Sequence, residues 1–210
     1  MEVRQALADL AEVRGRLATV QRFDGYSGNA AVASGLVALA AGAAQFVLVP
    51  HPAGPAERLT YLWIWLVCLG LALAINYGAI VAWRSRHPDP QAAAQMRTVG
   101  FTILPAIAAG GVITLALVVR GLFDLLPGMW AAVYALGLFA SRSMVPRPVV
   151  FVAIAFGASA TLLLLLPNIE PLTWWIMPAA FGLGQIAIGA IVRTDAAPMG
   201  SATLKRSHLP

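Results

Sequence analysis

The groups with which this chain could bind a metal, move a proton or attack a bond are few: three histidines, one cysteine and nine acidic residues. His87 and Asp89 stand two apart in a segment broken by Pro88 and Pro90. They amount to half a metal site, because a bound zinc needs three or four ligands. His51 and His208 have no ligand partner at useful spacing, and Cys68 sits in an apolar run with no second thiol. The only lysine is Lys205, and no histidine falls inside a long apolar stretch, so a retinal Schiff base and bis-imidazole haem ligation both lack their residues. Ser159 would need a base beside it to act as a nucleophile, and its stretch supplies none. The expectation is a chain that is not an enzyme, with no catalytic residue, metal or cofactor.

What remains in the apolar stretches is neutral: Gln45, Asn76, Tyr77, Thr102, Thr114, Tyr134, Ser159, Thr161 and Gln185. Amides in an apolar surround seek partners, and interhelical hydrogen bonds of this kind contribute about 1 kcal/mol each. Two uses are open to them. They join helices, or Asn76, Tyr77 and Gln185 converge on a buried pocket for a small, weakly polar ligand.

The elements that position these groups follow from composition. Of 210 residues 60% are hydrophobic and 11% charged, where a soluble domain carries roughly 25% charged residues. A single water-soluble core is excluded, and nucleic acid is not an expected partner; the lipid bilayer is. Crossing about 30 Å of hydrocarbon takes about 20 apolar residues in a helix. Six such stretches lie near 29–50, 60–83, 99–119, 121–141, 148–167 and 172–192, set off by prolines and charges. The fold class expected is all-α: a polytopic six-helix transmembrane bundle over 29–193, preceded by a cytoplasmic helix and hinge at 1–28 and followed by a cytoplasmic tail at 194–210.

Orientation follows from the basic residues, since short loops rich in Arg and Lys stay cytoplasmic. Arg4, Arg14, Arg16, Arg22, Arg84, Arg86, Arg97, Arg142, Arg147, Arg193, Lys205 and Arg206 fall on one side under strict alternation, and only Arg58 and Arg120 on the other. Both termini are expected in the cytoplasm of a cell whose inner (plasma) membrane holds the protein. Trp63, Trp65, Trp130, Trp174 and Trp175 open spans on the outer side, where indole rings favour the headgroup level. The acids Glu2, Asp9 and Glu12 argue against a cleaved signal peptide, so the first span is expected to be a retained anchor.

In residues 1–22, Val3, Ala6, Leu10, Val13, Leu17 and Val20 recur at intervals of three and four, an apolar seam along one side of a helix. That seam suits a lipid surface or a partner, either a second copy or another protein, with Val3, Leu10, Val13, Leu17 and Val20 as the contact residues. Pro105 and Pro178 each stand seven residues into a span and are expected to kink it. Register between those two spans also matches Ala106/Ala179 and Gly111/Gly184, a pattern compatible with an inverted repeat.

The stretches LPGMWAAVYALGLFASR at 126–142 and FGLGQIAIGAIVR at 181–193 resemble a group of small six-span bacterial inner-membrane proteins of unknown function. FDGYSG at 23–28 departs from the Pro-Gly pattern of that group. The resemblance implies a six-helix bundle and no activity. Function divides two ways on these grounds: a membrane subunit or sensor that anchors or regulates a partner through its N-terminal helix, or a small permease for a neutral or lipophilic solute.

Overall fold

The computed structural model describes residues 25–88 and 90–196, and these residues are helical with no strand. The helix expected over 1–22 and the tail beyond 196 lie outside the described residues. Six helices follow one another: α1 (Gly28–Leu48), α2 (Pro55–Arg86), α3 (Pro90–Val119), α4 (Leu126–Ala140), α5 (Val149–Leu165) and α6 (Leu183–Ala196). A 3-10 turn, Phe123–Leu125, leads into α4, and a π-helical turn, Pro178–Gly182, runs directly into α6. Four helical stretches, Gly28–Leu48, Pro55–Arg86, Gly100–Val119 and Phe123–Ala140, are long and apolar enough to cross a membrane. Val149–Leu165 is apolar but shorter.

Local signals set the helix ends. Ser27 Oγ accepts from the Ala30 amide at 3.3 Å and caps α1. Glu57 Oε2 accepts from the amides of Ala53 and Gly54 at 2.8 and 3.1 Å, satisfying donors ahead of α2. Proline opens both α2 and α3, where a missing amide proton costs nothing. These two helices extend beyond the apolar stretches 60–83 and 99–119, because their polar ends continue as helix into water. The fourth stretch begins later than residue 121. Gly121, at φ +70°, ends α3 in a Schellman turn, its amide bonded to Val118 O and the Leu122 amide to Leu117 O at 2.9 Å. Only glycine adopts that backbone without strain.

The helices alternate in direction. One end of the bundle gathers Tyr26 and Ala31, Val145 and Val149, and Ile188 with Val192. The opposite end gathers Ala38, Tyr61, Trp65, Phe123, Leu126 and Leu172. Arg84, Arg86, Arg97, Arg142, Arg147 and Arg193 belong to the first, or basic, end among the described residues, and Arg58 and Arg120 to the second. Between the ends, Ala131, Ala135, Phe156 and Ala160 seal α4 against α5.

The closest packing joins α1 to α6 and the π-turn ahead of it, the first and last of the described helices. Gly28, Gly35 and Gly42 recur every seven residues on α1, and all three are buried. A methyl group on Gly28 would stand 2.8 Å from Gly189 O, and one on Gly35 would stand 2.7 Å from Gly182 O. One on Gly42 would overlap the Pro178 ring. Rising numbers on α1 meet falling numbers on α6, so the two helices are antiparallel. Small residues are what allow backbones this close where no hydrophobic force drives helices together.

By contrast α3 buries no side chain fully in protein along Gly100–Val119, and Phe101, Val112, Leu115 and Val119 are exposed. In a bilayer these are lipid-facing positions.

Gly35→Leu should therefore destabilise the protein by more than the roughly 1–3 kcal/mol usual for overpacking, because backbone on both helices must move. Gly70→Leu, where a Cβ meets nothing within 4 Å, should be neutral or slightly stabilising. Thermal unfolding of both variants in the same detergent checks the contrast.

Candidate functional site

Gln45 sits on α1 one turn beyond Gly42 and is completely buried. Its Oε1 accepts from Trp65 Nε1 on α2 at 2.8 Å, and its Nε2 donates to Leu172 O, ahead of the π-turn, at 2.7 Å. An indole N–H only donates and a carbonyl only accepts, so the amide has one possible orientation. Three segments are thus tied at one side chain. Around it the Trp174 amide donates to Pro50 O at 3.2 Å, and Phe46 meets Trp174 edge to face at 5.0 Å. His51 Nδ1 lies 3.5 Å from a Glu170 carboxylate oxygen, and Arg58 reaches Asp124 at 3.8 Å. The first pair is solvent-facing and weak; in the second Arg58 is half-buried, and its Nε has no hydrogen-bond partner among the described residues.

This arrangement corrects the reading of the tryptophans as one headgroup belt. Trp65 is 3% exposed and belongs to the core, whereas Trp63 is 64% exposed. Trp130 donates to Thr114 Oγ1 at 2.8 Å and so joins α4 to α3. Tyr61 is buried between Trp65 and Trp130, stacked on the latter at 6.5 Å with planes 3° apart. Its hydroxyl has no hydrogen-bond partner among the described residues.

The three residues considered as a pocket do not share one. Asn76 Nδ2 donates to Ser34 Oγ on α1 at 2.7 Å and to Ala72 O at 2.8 Å. Gln185 Nε2 donates to Tyr134 Oη on α4 at 2.6 Å, within an aromatic group completed by Phe156 and Phe181 at 4.7–5.5 Å. Tyr77 is 61% exposed. The amides thus serve two different helix pairs, α1/α2 and α4/α6. Ser34, the partner of Asn76, and the Gly28/Gly35/Gly42 seam are the residues that sequence reasoning passed over. The signal available was the seven-residue glycine spacing, with Ser34 adjoining its middle member.

The two span prolines occupy unlike settings. Pro105 lies on an exposed side of α3, which stays α-helical through it. Pro178 is buried and opens the π-turn, where the Leu183 amide reaches back to Pro178 O. A proline has no amide proton to give, and the wider turn carries Pro178 onto Gly42 and Gly182 onto Gly35.

A groove of about 440 Å³ lies between α5 and α6, lined by Pro148, Phe151, Phe156, Ser159, Gly184 and Ile191 among others. Ser159 is the one side-chain heteroatom among its lining residues, and its hydroxyl is donated to Ala155 O at 2.9 Å.

No family model, characterised protein or solved structure matches the chain, so the likeness of 126–142 and 181–193 to six-span bacterial proteins rests on those residues alone.

Gln45→Leu should leave the Trp65 indole and the Leu172 carbonyl unpaired and cost about 1–3 kcal/mol. Adding Trp65→Phe should recover part of that loss, and a double-mutant cycle in unfolding free energy measures it. Tyr61→Phe removes a hydroxyl without a partner and should be at least as stable as the parent in the same assay.

Proposed function

We propose that this chain is a six-span integral membrane protein of the inner (plasma) membrane, with both termini cytoplasmic, and that it acts without catalysis as a subunit or sensor. The observation that carries the reading is the use of the interior amides: Gln45, Asn76 and Gln185 each hydrogen-bond to a second helix. A bundle built this way is stabilised as a scaffold. The patterned face of residues 1–22, with Val3, Leu10, Val13, Leu17 and Val20, is then the part offered to a partner or to a second copy. The excess of arginine at one end supports the orientation. The antiparallel approach of α1 and α6 supports an even number of crossings, since it brings both flanking segments to the same side.

A second reading, a permease for a neutral or lipophilic solute, is favoured by the π-turn at Pro178–Gly182. Such turns recur where helices rearrange or bind ligand.

Removing residues 1–22 should abolish recovery of the partner after membrane solubilisation while leaving the protein in the membrane fraction; unchanged recovery contradicts the first reading. Under the permease reading Asn76→Ala together with Gln185→Ala should cut solute uptake into liposomes, and full uptake contradicts it.

A further inference from the structure

Among the described residues three buried side-chain polar atoms have no hydrogen-bond partner: Arg58 Nε, Tyr61 Oη and Gln185 Oε1. A buried donor left unpaired is costly, and more so when it carries charge. Two of the three atoms can donate, and their residues stand three apart on α2, on one face of the helix.

They also look toward one neighbour. Arg58 reaches Asp124, while Tyr61 shares a buried cluster with Phe123 and Leu126 and stacks on Trp130. Rising numbers on α2 meet rising numbers on the 3-10 turn and α4, so both side chains face that segment. Helical side chains lean toward the N-terminus of their helix, which for Tyr61 is the end that carries Arg58. Tyr61 is completely buried, whereas the Arg58 side chain keeps 30% of its surface exposed, a way in from water.

The carboxylates of this end do not satisfy the two donors. Glu57 Oε2 accepts from the Ala53 and Gly54 amides, and Glu170 faces His51. Asp124 comes only within 3.8 Å of Arg58, and at Nη2 rather than Nε, whereas a charge-assisted hydrogen bond spans about 2.7–2.9 Å. What fits is an acceptor with negative charge, small enough to lie beneath the apolar packing of Phe123 and Leu126. A water would accept both bonds but leave the half-buried guanidinium without a close counterion.

We propose that Arg58 Nε and Tyr61 Oη donate to one small monovalent anion of the halide class, held under the 3-10 turn Phe123–Leu125. Asp124 is then the anion's competitor for Arg58. The site goes beyond the subunit and permease readings and depends on neither. It ties α2 to α4 in an ion-dependent way.

The test follows thermal unfolding of the full-length protein in detergent while chloride replaces gluconate, an anion too bulky for the site, at constant sodium and ionic strength so that screening is fixed. Chloride should raise the midpoint as ligand linkage requires, and the onset of the rise gives the dissociation constant. Tyr61→Phe and Arg58→Lys should each raise that constant about tenfold, the loss of one hydrogen bond to a charged group. Asp124→Asn should lower it about threefold, since a like charge is removed. Arg120→Gln, the other arginine of that end among the described residues, should change it little. Without chloride Tyr61→Phe should match or exceed the parent in stability, which keeps the test decisive if Arg58→Lys fails to fold. No chloride gain in the parent, the parent's gain retained in Tyr61→Phe or Arg58→Lys, an equal loss in Arg120→Gln, or weaker binding in Asp124→Asn overturns the site.

Discussion

The approach of α1 to α6 governs the rest of the structure, because in an apolar solvent it supplies what the hydrophobic effect supplies in water. Lipid chains are as apolar as leucine, so helices gain by touching only when their backbones come close enough for dense van der Waals contact. Gly28, Gly35 and Gly42 on one side, and Pro178, Gly182 and Gly189 on the other, make that contact along α1 from its start to Gly42. The first and last described helices thereby close the bundle, and the segments between them are constrained to alternate. Gln45 stands at the end of this seam. Its two hydrogen bonds fix α2 and the segment before α6 against α1 at the place where glycine packing stops.

Packing is graded outward from that seam. The α4/α5 hairpin is joined through small alanines and the Tyr134, Phe156 and Phe181 rings, and Gln185 ties it to α6. The outer faces of α2 and α3 carry Trp63, Tyr77, Phe101 and Leu115, all exposed, so they form the perimeter toward lipid. A Cβ added at Gly110 on α3 would meet Val133 at 3.5 Å, an ordinary contact, and Trp130 bonds to Thr114, so α3 is held by α4 more than by α2.

Much of this frame was legible in the sequence, and the reason is physical: hydropathy and proline mark where a helix enters and leaves lipid, and both are local properties. The helix ends follow those marks at α1 and α5, while α2 and α3 run past them at their polar ends. A glycine turn at Gly121 rather than charge sets the start of the fourth, and the sixth stretch, expected from 172, becomes regular α-helix only at Leu183 after the π-turn. Pairing was not legible. Gln45 and Leu172 are 127 residues apart, and Asn76 and Ser34 are 42 apart, and nothing in the chain announces which amide meets which partner. The glycine seam was visible as a seven-residue spacing, but 19 glycines in an apolar chain generate many such spacings. The tryptophans misled for a related reason: position near a span end suits the headgroup region and suits a buried indole donor equally, and only the presence of Gln45 across the interface separates Trp65 from Trp63.

The most direct test is a cross-link between α1 and α6 in the native membrane. Ala31 on α1 and Ile188 on α6 are fully buried in one cluster at the basic end, outside the glycine positions of the seam. Ala31→Cys with Ile188→Cys, in a Cys68→Ser background, should be joined within one chain by a short bifunctional thiol reagent. Free alkylation of both thiols in well-inserted protein would contradict the account.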